Sequence, residues 1–213
     1  MKINKIISIG SCCDSMFFCN QLCLREKGPV DNMLIANGSI LKIYKLFNND
    51  FFNSVINDNY YFTNYNHWDI YPLCIFDGYS MIHNDYRLEK TKIELIKRIN
   101  KFQDYCNLSK NNKNYFFVYS TWPEDNKVSS KEQQNIIDLL PLYVRKKLLI
   151  INGRLEKYKF LNYPVFNYDT YEIRKLENQQ DIQNKFSLWW EENKWFYENL
   201  NNCKYDNIKN GES

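Results

Sequence analysis

Apolar and polar positions along this chain form blocks that predict strands alternating with helices. Short apolar runs at residues 3–9, 115–119 and 148–151 are typical of strands that are buried on both faces. Apolar residues at helical spacing predict helices over residues 12–26, 40–47, 88–106, 130–140 and 182–200, and residues 163–168 predict a last strand. This alternation indicates an α/β fold with a mostly parallel sheet flanked by helices.

The length of 213 residues suits one domain. We expect residues 1–200 to form a single α/β domain and residues 201–213 to be a polar C-terminal tail. The region of residues 51–81 is aromatic and irregular, and within it residues 60–62 and 73–76 predict only short strands.

The turn after the first strand contains the candidate chemistry. Gly10 permits a sharp turn, Ser11 is a good helix N-cap, and Asp14 completes a variant of the capping box. Cys12 and Cys13 would then lie at the carboxyl end of a strand and in the first turn of a helix. The helix dipole and the free N–H groups stabilise a thiolate there, whereas most buried thiols are inert. The residues of this turn therefore leave two interpretations open: a nucleophilic cysteine, or two half-buried thiols.

Other strand ends should meet this turn at one edge of the sheet. Trp122 follows the strand of residues 115–119, and Asn152 follows the strand of residues 148–151. Ligands of parallel sheets collect at the carboxyl ends of the strands. We therefore expect Ser11, Asp14, Trp122 and Asn152 to line a site.

Composition and charge narrow the class of partner. Hydrophobic residues make up 44% of the chain and aromatic residues 17%, which indicates a folded protein and not a disordered one. The net charge of +3 gives little support to nucleic-acid binding. No apolar stretch approaches the roughly 20 residues that a membrane span needs. We expect a small-molecule, glycan or peptide substrate, no nucleic acid and no membrane span.

The cysteines favour a reducing compartment. There are seven, an odd number, and no secretory signal pattern precedes the first strand, so we expect a cytoplasmic protein with reduced thiols. Cys19 and Cys23 lie four residues apart, which predicts two buried thiols on the core face of the first helix. No metal site is predicted, because there is no Cys-x-x-Cys and the two histidines are far apart in the sequence.

Cysteine catalysis needs a base, and the chain offers only His67 and His83. His83 is the better candidate because it precedes the long helix and has Asp85 beside it. Asp31, in a Gly-Pro loop, is a second candidate acid, although such residues usually serve the turn alone. Together these groups would support acyl transfer through a thioester.

The opening Ile-Ser-Ile-Gly-Ser-Cys-Cys of residues 7–13 resembles the start of a family described as papain-like cysteine peptidases (domain of unknown function 1796). Residues 28–32, 49–52 and 83–86 resemble later motifs of that family in order and spacing, so the resemblance covers residues 6 to about 119 and, more loosely, the Trp-rich last helix. It implies that Cys13 is the nucleophile, His83 the base and Asp31 the acid. The implied protein is a cysteine hydrolase that uses a Cys-His dyad and no cofactor.

Departures from the family pattern keep alternatives open. The family's Pro-Phe-Asp-Trp is Pro-Val-Asp-Asn here, and Asn84 follows the histidine, which moves the acid to Asp85. Cys12 occupies a position where the family has a small polar residue, so Cys12 is an alternative nucleophile. Ser11 is another, because the turn also resembles that of GDS-type esterases. A Gly-x-Cys turn is similar to that of capsular-polysaccharide acetyltransferases, which implies acyl-CoA and a glycan or other hydroxyl acceptor. A third interpretation of the function, besides the hydrolase and the acyltransferase, is a binding domain without catalysis.

Overall fold

A computed structural model describes residues 2–10, 13–28, 31, 33–35, 39–48, 53, 57, 61–62, 74–76, 79–81, 87–121, 127–152, 163–168 and 175–202. In chain order its elements are β1 (Lys5–Ser8), α1 (Cys13–Gln21), β2 (Arg25–Glu26), β3 (Met33–Ile35), a 3₁₀ segment (Ser39–Phe47), β4 (Tyr61–Phe62), β5 (Cys74–Phe76), β6 (Tyr79–Met81), α2 (Glu89–Asn111), β7 (Tyr115–Ser120), α3 (Ser130–Leu139), α4 (Leu142–Arg145), β8 (Leu148–Asn152), β9 (Val165–Asn167), a 3₁₀ turn (Leu176–Asn178) and α5 (Gln179–Asn202).

Within the described residues, five strands form a parallel sheet in the order β2-β1-β7-β8-β9. This arrangement confirms the predicted α/β fold with a parallel sheet. The strands predicted from their apolar runs are β1, β7 and β8, and they lie next to one another inside the sheet. Because β1 is paired on both sides, the turn that follows it lies at the interior of the sheet edge.

Alternate residues of these strands enter two different cores, as the two-residue period of a strand requires. Ile7, Phe117 and Ile150 pack on one face of the sheet, against residues of the 3₁₀ segment, α2 and α3. Their chain neighbours in β1, β7 and β8 pack on the other face, against α1 and α5. The second core is rich in aromatic rings: Phe18, Phe116, Phe166, Phe186, Trp190 and Tyr197. Helices therefore cover both faces of the sheet.

A second sheet is antiparallel and has the order β3-β6-β5-β4 among the described residues. The sequence pattern predicted two of these strands as short pieces but did not predict the sheet. Strands of two or three residues are too short to show a period, so their pairing depends on contacts between distant parts of the chain.

The first helix is shorter than predicted. α1 ends at Gln21, and Cys23 has a φ of 55°, which is a left-handed conformation. The chain then turns back so that the Ile6 N–H donates to Leu24 O at 2.9 Å, and β2 joins the edge of β1. Pairing with this edge replaces the last helical turns. Cys23 is exposed as a result, so its predicted burial is wrong, whereas Cys19 is buried and its prediction is confirmed.

The later helices follow the sequence pattern more closely. α2 begins at Glu89, one residue from the predicted start, and continues to Asn111. Its buried face includes Leu95, Ile99 and Phe102, whereas Ile93, an apolar residue of the same predicted helix, is 43% exposed. Ser129 caps α3 through a capping box with Glu132. α5 continues to Asn202, and residues 203–213 of the predicted tail lie outside the described residues.

Among the helices within the described ranges, none combines sufficient length with enough apolar character to cross a lipid bilayer.

Candidate active site at the switch point of the sheet

The strand order places the turn after β1 at a topological switch point. From β1 the chain passes through α1 to β2 on one side, whereas β7, β8 and β9 extend the sheet on the other side. α1 packs on one face of the sheet and α3 on the opposite face. Open parallel sheets bind ligands in the crevice outside such a point, at the carboxyl ends of the strands. The carboxyl ends of β1 and β7 are therefore the expected location of a site.

The turn itself is fixed to β7 by backbone hydrogen bonds. Gly10 has a φ of 132°, a conformation that side chains rarely allow. The Ser120 N–H donates to Gly10 O at 2.9 Å, and the Ile9 N–H donates to Val118 O at 2.9 Å. α1 then begins at Cys13, as the sequence predicted to within one residue. Ser11 and Cys12 lie outside the described residues, so the predicted N-cap at Ser11 stays a prediction.

The first turn of α1 is supported by buried polar side chains. Asp14 and Ser15 are both fully buried. The hydroxyls of Ser15 and Ser8 are 2.5 Å apart, so a hydrogen bond ties α1 to the end of β1. A carboxylate in the first turn also interacts favourably with the positive end of the helix dipole. Asp14 was predicted to line the site, and the structure places it inside the protein, beneath the helix start.

A row of hydrogen-bonded side chains crosses the carboxyl ends of the next three strands. Thr121 donates from Oγ1 to Asn152 Oδ1 at 3.1 Å, and Asn152 donates from Nδ2 to Asn167 Oδ1 at 3.1 Å. Asn152, which was predicted to line the site, is 2% exposed. Thr121 follows the predicted strand of residues 115–119 and was expected at this edge, whereas Asn167 was not predicted, although it ends an apolar run and so belongs to the same edge. Trp122 lies outside the described residues.

Asp31 lies beside the carboxyl end of β1. Its Oδ2 accepts from Arg25 Nη2 at 2.8 Å and from the Gly28 N–H at 3.0 Å. Gly28 packs directly on β1, because a Cβ there would lie 3.0 Å from Ser8 O. A side chain at residue 28 would therefore require β1 or the loop to shift by a few tenths of an ångström. The chain is thus folded back so that the candidate acid reaches the edge at which α1 begins.

The charge of Asp31 is compensated inside the protein. The residue is only 1% exposed, and burial raises the pKa of its carboxyl group. The hydrogen bond and the charge of Arg25, the Gly28 N–H and the charge of Arg98 all act in the opposite direction and favour the anion. Arg25 is held from its other side, since its Nη1 donates to Asn20 Oδ1 at 3.0 Å.

The buried thiol of Cys19 has a raised pKa, whereas a nucleophilic cysteine needs a lowered one. Burial raises the pKa of Cys19 well above its ordinary value, and the charge of Asp31 raises it further. Cys19 stays a neutral thiol in the core, whereas a cysteine at the start of α1 has helical N–H groups and the dipole to stabilise its anion.

The candidate base and its neighbouring acid, His83 and Asp85, lie outside the described residues, as does His67. The structure therefore places the start of α1 after β1, Asn152 at the end of β8 and Asp31 in contact with Arg25 and Gly28, and it leaves the Cys13–His83 distance undescribed. Within the described ranges, no three His, Cys, Asp or Glu side chains gather in a way that could hold a metal ion.

Arg25 was not predicted as a site residue, because it falls within the helix predicted over residues 12–26. A signal was present: an arginine six residues before an acid in a Gly-Pro loop is close enough in the chain to pair with it.

Comparison with known proteins identifies no relative: no family model, no curated protein and no solved structure matches the chain. The resemblance to the papain-like cysteine peptidases accordingly stays a prediction.

Proposed function

We propose that this protein is a cysteine-dependent hydrolase of the papain-like peptidase type, with Cys13 as nucleophile and His83 as base. The observation that carries the proposal is the start of α1 at Cys13, directly after the Gly10 turn, at the switch point of a parallel sheet. Such a location is where open parallel sheets form a substrate crevice, and the first turn of a helix offers N–H groups to a thiolate.

The proposed reaction proceeds through a thioester. His83 takes the proton of the Cys13 thiol, and the thiolate attacks the substrate carbonyl carbon. N–H groups of the first helical turn hold the oxyanion of the tetrahedral intermediate. The intermediate collapses as the leaving group departs with the proton from the imidazolium, which leaves an acyl group on Cys13. His83 then removes a proton from water, the resulting hydroxide attacks the thioester, and the acid product and the thiol are released.

In this mechanism Asp31 accepts from the second ring nitrogen of His83 and holds the imidazole in the required tautomer, and Asp85 is the alternative acid. The burial of Asp31 and its contact with Arg25 support this role, since both keep a carboxylate in one place at the site edge. The hydrolase reaction needs no cofactor. The cysteines Cys19, Cys23 and Cys106 are free thiols, which supports a cytoplasmic location.

The test compares the thiols of the native protein with one another. Iodoacetamide is added at pH 7, and the alkylated cysteines are identified and timed by peptide mass spectrometry. Cys23 is an exposed thiol in the same chain and therefore serves as an internal reference. We expect Cys13 to react about tenfold faster than Cys23, because a thiolate is the reactive form.

Three variants separate the alternatives. His83→Ala should bring Cys13 to the rate of Cys23 or below, and Cys13→Ser should remove the fast site. Cys12→Ser should leave it in place. Loss of the fast site in Cys12→Ser alone would move the nucleophile by one residue, and the absence of any thiol faster than Cys23 would leave the binding-domain interpretation.

The acyltransferase alternative is tested with acetyl-CoA. A thioester that forms on Cys13 from acetyl-CoA and is discharged by hydroxyl acceptors, but not by water, would identify a transferase. Turnover of simple esters in the absence of CoA would support the hydrolase.

A further inference from the structure

Arg25 makes direct contact with the acid of the proposed site. The guanidinium is held on two sides, by Asn20 Oδ1 at 3.0 Å and by Asp31 Oδ2 at 2.8 Å. Asp31 Oδ2 is also held by the Gly28 N–H at 3.0 Å. These contacts join α1, β2 and the loop that follows β2, so the position of the carboxylate depends on all three elements.

The Arg25–Asp31 ion pair is largely buried and is therefore not an ordinary surface ion pair. The side chain of Asp31 is 2% exposed and that of Arg25 is 25% exposed. A carboxylate buried to this extent is unstable as an anion unless an opposite charge and hydrogen bonds compensate for lost water. A planar guanidinium supplies both in a fixed geometry, which an ammonium cannot reproduce.

Within the part of the chain that the structure describes, the other titratable groups near Asp31 have no hydrogen bond or ion pair with its carboxylate. Cys19, on α1, is a neutral buried thiol. Arg98, on α2, lowers the pKa of Asp31 through its charge without a described hydrogen bond to it, and its Nε lies 3.4 Å from Glu94 Oε1. Among the described residues, Arg25 is thus the cation that contacts the carboxylate.

We propose that Arg25 is a positioning residue of the active site, which holds the Asp31 carboxylate in place and in its anionic form so that it can orient the His83 imidazole. This inference rests on the proposed function and goes beyond it, because it assigns a role to a residue whose described side-chain contacts are with Asn20 and Asp31. Arg25 acts on the reacting atoms only through Asp31.

The experiment measures the alkylation rate of Cys13 relative to Cys23 from pH 5 to pH 9 in the full-length protein. In Arg25→Gln the anionic form of Asp31 loses an opposite charge at contact distance, which shifts a carboxyl pKa by about one to three units. We expect the acid limb of the Cys13 profile to move upward by about one pH unit, so that the rate at pH 6 falls roughly tenfold. Arg25→Lys should recover part of this loss because it restores the charge without the planar donor pair.

A matched control removes a neighbouring positive charge. Lys101 pairs with Glu26, the residue next to Arg25, with Nζ 3.2 Å from Oε1. Lys101→Gln should leave the Cys13 profile unchanged. In addition, Arg25→Gln combined with Asp31→Asn should react no more slowly than Asp31→Asn alone, since Arg25 acts through that carboxylate.

The outcomes separate this inference from the function on which it rests. A wild-type Cys13 that reacts no faster than Cys23 overturns both. A fast wild-type Cys13 whose profile is the same in a folded Arg25→Gln variant overturns the positioning role alone and leaves the hydrolase standing. Should Arg25→Gln fail to fold by circular dichroism, Arg25→Lys and Asp31→Asn decide: a wild-type profile in both overturns the role, and shifted acid limbs support it.

Discussion

The two edges of the parallel sheet use polar groups in different ways. At the carboxyl edge, side chains contact one another, as in the Arg25–Asp31 pair and the row from Thr121 to Asn167. At the amino edge, side chains contact the backbone. Tyr105 Oη donates to Lys5 O at 3.0 Å and to Phe116 O at 2.7 Å.

Lys147 is the second example at the amino edge. It precedes β8, is 4% exposed, and donates from Nζ to Ser109 O and, at 2.8 Å, to Asn112 O. These carbonyls end α2, where the helix dipole favours a cation. Here a buried charge is compensated by backbone dipoles, whereas Asp31 is compensated by an opposite charge.

The two edges of the sheet therefore have different roles: the polar groups of the amino edge stabilise the fold, and those of the carboxyl edge are candidates for ligand binding. Backbone carbonyls cannot exchange partners without unfolding a strand or a helix end, so the polar groups of the amino edge stabilise the fold. Side chains that contact each other can change rotamer when a ligand arrives, which a binding edge requires. Three measurements test this comparison.

The largest effect is expected at the carboxyl edge. Arg25→Met leaves the Asp31 carboxylate buried without its opposite charge, and breaking a buried pair in this way costs about 3–5 kcal/mol. Urea unfolding at pH 7 should show this loss in the free energy of unfolding. The loss should shrink at pH 5, because a protonated Asp31 needs no cation.

The double variant Arg25→Met with Asp31→Leu is the control for this prediction. It removes both charges, so it should be more stable than Arg25→Met alone. Equal stability of the single and double variants at both pH values would show that Asp31 is not the source of the loss.

A smaller effect is expected at the amino edge. Tyr105→Phe leaves Lys5 O and Phe116 O without their shared donor, and an unsatisfied buried polar group costs about 1–3 kcal/mol. The matched control is Tyr115→Phe, whose ring packs on Tyr105 with centroids 5.2 Å apart and is only partly buried. If both variants lose the same stability in urea, the hydrogen bonds from the Tyr105 hydroxyl to Lys5 O and Phe116 O would not be the source of the loss.

The smallest effect concerns pH. Burial lowers the pKa of Lys147 from 10.5 to about 8. Between these values the unfolded chain binds a proton that the folded protein does not, so the free energy of unfolding rises with pH. The contribution of Lys147 should be about 1 kcal/mol between pH 8 and pH 9.

Comparison with Lys147→Met isolates this contribution. Burial raises the pKa of Cys106 to about 11 and also raises that of Cys19, which lowers the free energy of unfolding as the pH rises in the same range. Because these thiols are present in both proteins, their effect cancels in the difference. A difference between wild type and Lys147→Met that stays constant from pH 7 to pH 9 would contradict the lowered pKa.

The elements that depend only on nearby residues were predicted from the sequence. β1, β7 and β8 are continuous apolar runs, and the Gly10 turn is set by one residue, so all four could be found from the sequence. β2 could not, because its two residues continue an apparent helix and become a strand only through contact with β1. For β5 and β6, Asp77 and Gly78 between Phe76 and Tyr79 were a usable hairpin signal that the prediction overlooked.

The candidate site divides in the same way. The start of α1 near Cys13 and the place of Asn152 at a strand end follow from local sequence. The burial of Asp31 depends on Arg25, Gly28 and Ser8 packing together, and such contacts between elements show no periodic pattern. Cys23 shows the converse error: four-residue spacing predicted burial, but the helix had already ended at Gln21.

The pairing of β1 with β7 also has a consequence during biosynthesis. Lys5 pairs with Tyr115, 110 residues later. On a ribosome that adds about 5–20 residues per second, β7 follows β1 after roughly 5–20 seconds. During that time β1 can join α1 and β2, but its other edge, with Ile6 and Ile7, has no partner strand. The nascent chain therefore has an apolar strand edge without its partner strand until β7 has been made, and we expect chaperones that bind extended apolar segments to recognise it in that interval.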